Sequence, residues 1–261
     1  MPSTNSNLRL RVFAGPNGSG KSTIINAVKA YKVSQIPVDF GIYVNADDIA
    51  KAVRENKFTF NSYKIQVSVE ELTETVLASG LLSGSFKQAD FLNSFQLSNN
   101  KVTLLDAASD ERLAQILADF LRKKLLKERK KFSFETVFSH PSKLEIMREA
   151  AAAGYKVYLY FVSTESPEIN RFRVSVRTKQ GGHDVPTDKI ESRYYRSLDL
   201  LFEAAQLVYQ CYFFDNSKDG EMFRLFAHFK NEKGEKHWDE IDPEEVPDWF
   251  IKYYSNKVKS A

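Results

Sequence analysis

The stretch Phe13 to Ile24, "FAGPNGSGKSTI", decides the fold. It holds three glycines within six residues, Gly15, Gly18 and Gly20, and then a lysine beside two hydroxyls. Bare backbone of this kind can turn tightly enough to aim several N–H groups at one anion, and Lys21 adds a fixed positive charge. The spacing G-x-x-x-x-G-K-[ST] is filled by Gly15, Gly20, Lys21 and Ser22. Gly15, Pro16, Asn17, Gly18, Ser19, Gly20, Lys21, Ser22 and Thr23 together form an expected cradle for the phosphates of ATP, with the Ser22 hydroxyl on Mg²⁺. The flanks agree with this. Leu8 to Ala14 is a β-prone run, and Ser22 to Tyr31 carries apolar residues at helical spacing, so a strand feeds the loop and a helix N-terminus receives the anion.

Working outward, 261 residues can bury a sizeable core, and a net charge of +3 is a mild basic excess that does not call for nucleic acid. The run RKKLLKERKK, Arg122 to Lys131, reads as the solvated face or end of a helix. The single cysteine, Cys211, lies in the apolar run LVYQCYFF and reads as a buried small hydrophobe. The opening MPSTNSNL lacks a leader pattern, and no apolar run approaches the ~20 residues that span a bilayer. A soluble cytoplasmic protein with no membrane partner is expected.

Four further strands are expected at Gly41 to Asn45, Phe132 to Phe138, Lys156 to Val162 and Val208 to Phe214, separated by helical patterns such as Ser142 to Ala153, which stops at Gly154. That alternation implies an α/β fold, a three-layer α/β/α P-loop NTPase with a mostly parallel five-stranded sheet. The expected organisation is a kinase-like domain over 1–217, with a helical insertion at about 50–110 and an arginine-rich lid at about 168–197. A hairpin and aromatic helix over 218–261 read as a C-terminal appendage.

Ligands of such sheets sit at the carboxyl ends of the strands. After the second strand, VNADDIA offers Asp47 to orient a substrate hydroxyl and accept its proton, and Asp48 as a helix cap. After the third, Glu135 and Thr136 face the same crevice as candidate substrate contacts. In the lid segment, Arg173 and Arg177 share a helix face and would stabilise charge on a transferred phosphoryl group, with Gly181 and Gly182 as a hinge. His183 is left without a chemical role.

These segments together resemble the zeta toxin family of P-loop kinases. The carriers are GPNGSGKST, VNADDIA, FSFETVFSHPSKLEIMREAAAAGYKVYLYFVST, RVSVRTKQGGHDVPTDKIESRYYRSL and FFDNS. The resemblance implies a kinase of small metabolites. Characterised toxins of the family phosphorylate the sugar 3′-hydroxyl of UDP-N-acetylglucosamine. It matches Lys21 to the phosphate-loop lysine, Asp47 to the catalytic base, Glu135 to a substrate-pocket carboxylate, and Arg173 and Arg177 to the lid arginines. It also admits a separately encoded antitoxin as partner. The GGHDVP segment and the expanded region after Ala50 depart from the family pattern. A polynucleotide kinase and a nucleotide-dependent switch without transfer chemistry stand as alternatives.

Overall fold

The computed structural model describes residues 8–260 apart from 83, 85 and 182–184. The chain divides into two compact units, one formed by residues 1–41 and 133–261 and the other by 42–132.

The first unit opens with β1 (Arg9–Ala14) and α1 (Lys21–Ala30). The second unit contains β2 (Ile42–Val44), α2 (Ala46–Arg54) and the long α3 (Asp110–Lys127). The chain then returns to the first unit through β3 (Phe132–Thr136), α4 (Ser142–Ala152), β4 (Lys156–Ser163), α5 (Pro167–Lys179) and α6 (Thr187–Asp199). It ends with β5 (Gln210–Asp215), the hairpin β6 (Arg224–Glu232) and β7 (Glu235–Trp238), and short terminal helices.

Within the first unit the strands run in the order β7-β6-β5-β4-β1-β3. β1 pairs parallel with β4, and β4 parallel with β5, placing the carboxyl ends of all three together. The hairpin corrects the expected five-stranded count. β6 pairs antiparallel with β5 and β7 with β6, so the sheet continues into the segment read as an appendage. A bulge between Leu225 and Ala227 bends this added edge.

Register explains the core. Leu10, Val12, Val157, Leu159, Phe161, Cys211 and Phe213 alternate onto one fully buried face. Burial also pushes the Cys211 thiol well up, as expected of an inert packing residue. On the opposite face Phe40, Phe13, Tyr160, Tyr212 and His228 stack ring on ring, with centroids 5.2, 4.7, 4.7 and 4.3 Å apart in that order. Beside this ladder, buried Arg11 donates to the Tyr160 hydroxyl at 2.9 Å and to the Asp39 carbonyl at 3.0 Å. The terminal segment seals the apolar face, where Phe250 and Tyr254 pack on Phe213, and Trp249 packs on Phe161 and Phe226. α4 ends as expected, with Gly154 in the left-handed region and Tyr155 N–H reaching back to the Ala150 carbonyl.

The second unit is not wholly helical, which corrects the expected helical insertion. Phe95–Ser98 and Lys101–Leu104 pair as a hairpin whose two-residue turn, Asn99 and Asn100, has positive φ at both positions. Asn100 also donates to the Asn61 side chain and the Ile65 carbonyl, fixing the turn to the neighbouring loop. The basic run closes α3 and is largely paired. Arg122 is buried against Asp119, Lys123 also meets Asp119, Lys124 meets Glu71 and Glu128, and Lys130 meets Glu128. Burial lowers the Arg122 pKa, with Asp119 opposing that shift.

Candidate phosphate site

β1 delivers the chain into the glycine loop, and α1 begins at Lys21 with Gly20 as its N-cap in the left-handed region and no side chain capping it. Three close approaches require glycine. A Cβ at Gly15 would collide with the Val162 carbonyl at the end of β4, and one at Gly20 would collide with the side-chain nitrogen of Asn216. Gly18 lies against the α5 backbone, where an added Cβ would stand 2.6 Å from the Asn170 carbonyl oxygen. The loop is therefore clamped from β4, α5 and the end of β5.

Lys21 is buried and donates from Nζ to the Gly15 and Pro16 carbonyls, both at 2.9 Å. Ser22 and Thr23 are exposed at the start of α1. Two buried polar atoms, Asn17 Oδ1 and Ser19 Oγ, have no hydrogen-bond partner among the described residues. Buried polar groups are ordinarily satisfied, so orphans inside a cationic, glycine-walled loop fit a cradle for a polar ligand. The Ser19 hydroxyl and the Lys21 ammonium can donate to nucleotide phosphates, whereas Asn17 Oδ1 only accepts, and the Ser22 hydroxyl suits Mg²⁺, a hard cation that takes oxygen ligands.

The turn after β5 supports the loop. Asn216 donates from Nδ2 to the Ser19 carbonyl at 2.9 Å and from its backbone N–H to the Ser163 carbonyl at 2.9 Å. Its own carbonyl accepts from Arg173 Nη1 at 2.5 Å, and Arg173 also donates to Asp219 Oδ1 from Nη2 at 2.7 Å and from Nε at 3.1 Å. Asp215, just before, accepts from the Ser217 hydroxyl at 2.7 Å and from the Trp249 indole at 3.0 Å. Beneath α5, Thr164 donates to the Asn170 side chain at 2.5 Å, and the Tyr194 hydroxyl donates to the Thr164 carbonyl at 2.6 Å. Burial drives the Tyr194 hydroxyl well above the usual phenol range.

The expected site residues divide between the units. Lys21, the loop, Glu135, Thr136, Arg173 and Arg177 belong to the first. Glu135 is half-buried at the end of β3, and the Thr136 hydroxyl accepts from the N–H of Phe138, a buried residue held at φ 59°. Arg173 is engaged by the 216–219 turn, whereas Arg177 stands one turn further along α5 with an exposed side chain. Gly182 and His183 lie outside the described residues. Asp47 belongs to the second unit, exposed with Asp48 on the first turn of α2. The cap of that helix is Asn45 rather than Asp48. Its side-chain oxygen accepts from the Asp47 and Asp48 N–H groups at 2.8 and 3.2 Å, because the cap must precede the first turn and Asn45 alone has the extended backbone for it. Both carboxylates therefore stay free of capping duty. The sequence offers DNS, Asp215 to Ser217, as a border for the nucleotide base or an Asx turn; it does not point to the bond from Asn216 to Ser19, 197 residues away, nor to Asn170 and Asp219.

Residues 106–218 match the family model described as Zeta toxin. Over that stretch the chain is zeta-toxin-like. The solved AvrRxo1-ORF1:AvrRxo1-ORF2 complex with ATP contains a similar chain, with TM-score 0.50 and 15% identity over 94% of this chain and 63% of that one. At that identity the likeness speaks to fold, and the chain has the P-loop NTPase fold. A chain of the PezAT chromosomal toxin–antitoxin system of Streptococcus pneumoniae aligns at TM-score 0.47 and 14% identity, over 81% of this chain and 70% of that one. An uncharacterised protein of Haemophilus influenzae is 33% identical over 63 residues, which are 24% of this chain and 45% of the relative. This chain thus spans under half of that relative. Among the described residues no helix is long and apolar enough to cross a membrane.

Proposed function

We propose that the protein is an ATP- and Mg²⁺-dependent zeta-toxin-like kinase that phosphorylates a hydroxyl of a small molecule, with UDP-N-acetylglucosamine as the first acceptor to test. The observation that carries the reading is the glycine-walled loop with Lys21 buried inside it and Ser19 Oγ orphaned within. A buried ammonium beside an unsatisfied hydroxyl in a glycine-walled loop is suited to polyphosphate oxygens.

In this mechanism Lys21 leaves the loop carbonyls for the β- and γ-phosphates and holds them in line. The acceptor hydroxyl attacks the γ-phosphorus, the bond to the β–γ bridging oxygen breaks, ADP departs, and the hydroxyl proton passes to the Asp47 carboxylate. Glu135 and Thr136 hold the acceptor. Arg177, exposed one turn beyond Arg173 on α5, meets the charge on the transferred group. The Ser22 hydroxyl would hold Mg²⁺, which when bound would neutralise part of the phosphate charge. A second chain as partner is part of the same proposal, because the similar chain is solved within the AvrRxo1-ORF1:AvrRxo1-ORF2 complex.

The polynucleotide reading is disfavoured by the pairing of Arg122, Lys123, Lys124 and Lys130 with carboxylates, which takes charge from the groove it would need. The test is product formation. The chain, ATP, Mg²⁺ and UDP-N-acetylglucosamine are incubated and read by mass spectrometry, with Asp47→Asn alongside. A phosphorylated sugar nucleotide made only by the unaltered chain supports both mechanism and acceptor. Product made equally by Asp47→Asn contradicts the assigned base. No product with this acceptor removes it, and a screen of hydroxyl-bearing metabolites then tests the kinase reading itself.

A further inference from the structure

The geometry points to Asn216 as a positioning residue for the phosphate loop, with Arg173 acting through it rather than on the transferred phosphate. This inference rests on the nucleotide reading of the loop and goes beyond it by assigning the turn after β5 a task in nucleotide affinity.

Three contacts converge on this one residue. The Asn216 side chain donates to the Ser19 carbonyl, inside the loop and two residues before Lys21. Its nitrogen fills the space where a Cβ at Gly20 would lie, so the loop and the amide are fitted to each other. Its backbone N–H is anchored on Ser163, the last residue of β4, whose neighbour Val162 walls Gly15. The amide thus ties the middle of the loop to the same strand end that bounds its start. A loop whose carbonyl at Ser19 is turned outward onto Asn216 has the following peptide N–H turned to the other side. Fixing that peptide plane in advance lowers the ordering cost of gripping a β-phosphate.

Arg173 completes the clamp from α5. It spends Nη1 on the Asn216 carbonyl and both Nε and Nη2 on Asp219, while Nη2 also lies 3.4 Å from the Lys218 carbonyl. Its own side chain is only 20% exposed, whereas Asp219 is 65% exposed, so the Asp219 pair is a surface bridge and the Asn216 carbonyl is the more sheltered partner. A guanidinium with this many partners is costly to withdraw. Arg177, one turn further on, is the member of the pair whose side chain is exposed.

The test measures binding by calorimetry on the full chain, with ATP, ADP, AMP and inorganic tripolyphosphate as probes. Asn216→Asp keeps the shape but sets a carboxylate oxygen against the Ser19 carbonyl. The expected result is at least a 10-fold loss for ATP, ADP and tripolyphosphate, with AMP changed less than 2-fold and the melting temperature close to that of the parent. Arg173→Ala should lose several-fold in the same three ligands, and Arg173→Lys should recover part of it. Arg173→Ala combined with Asn216→Ala should cost less than the sum of the two. Unchanged tripolyphosphate binding in Asn216→Asp would overturn the inference, since a base contact would then explain any loss in ATP. A fall in kcat for Arg173→Ala with ATP affinity intact would overturn the assignment of Arg173. Binding is read without an acceptor, so a chain that binds ATP yet transfers nothing would sink the kinase reading while leaving this one in place.

Discussion

The Trp249 indole donates to Asp215 Oδ1 at 3.0 Å, joining the terminal aromatic segment to the carboxyl end of β5. Both residues are buried. Trp249→Phe removes the donor and part of a ring packed on Phe161 and Phe226. A loss of about 2–4 kcal/mol is expected, combining a hydrogen bond to a charged group with a partial cavity. Urea unfolding measures it, and a change under about 0.5 kcal/mol, the scale of an ordinary surface substitution, would show that the indole bond carries no weight.

Gly15→Ala should be far worse than Gly154→Ala, although both glycines have positive φ. The Gly15 Cβ would meet the backbone carbonyl of Val162, which cannot swing aside, whereas Gly154 faces open space. The expected costs are about 1 kcal/mol at Gly154 from backbone strain and above roughly 3 kcal/mol at Gly15, where collision is added. Equal melting temperatures for the two variants would contradict the close approach of loop and β4.

Lys21→Ala should weaken ATP binding about 10–100-fold, the worth of one or two charge-assisted hydrogen bonds. Lys21→Arg should not restore it. The buried space over the Gly15 and Pro16 carbonyls is shaped for an ammonium, and a planar guanidinium cannot enter it in the same way. Calorimetric titration with ATP decides this, and full recovery by arginine would count against the folded-back lysine as the binding group.

The Tyr63 hydroxyl is pushed up to about 12, first by burial and then by the charge of Asp48. Its ordinary value is 10.0, so between pH 10 and 12 the folded chain keeps a proton that the unfolded chain releases. Stability therefore falls as pH rises through that window, and Tyr63→Phe should flatten that part of the curve. Asp48→Asn should bring the hydroxyl part of the way back while burial keeps it above 10.0. Absorbance titration against Tyr63→Phe reads both effects. No movement on Asp48→Asn would separate that carboxylate from the tyrosine.

The phosphate loop was legible because its chemistry is local, with glycines, lysine and hydroxyl lying within nine residues between a strand and a helix. The parallel strands were legible because buried strands are nearly all apolar or aromatic, as Lys156–Ser163 shows. The hairpin at 224–238 was read as a hairpin, but its docking on β5 was not. Strand pairing across an edge leaves little mark in either partner's composition. The Asn99-Asn100 turn is a different case. Two residues that tolerate positive φ between the β-prone runs FQLS and KVTL carried the hairpin signal, and the surrounding helical pattern obscured it. At the site, Arg173 and Arg177 look equivalent at helical spacing, and only the 216–219 turn distinguishes them. The basic run shows the same limit, since its carboxylate partners include Glu71, 53 residues away.

The bond from Asn216 to the Ser19 carbonyl also orders events in time. The ribosome makes the glycine loop early and its brace 197 residues later. At the usual ~5–20 residues per second that interval is on the order of 10–40 s. Through that interval the nascent chain carries a glycine loop with nothing to hold its central peptide, and the Asp215 anchor waits longer still for Trp249. A chain built this way has its loop braced only once the 216–219 turn has been made, so truncated translation products ending before that turn would be released without the brace.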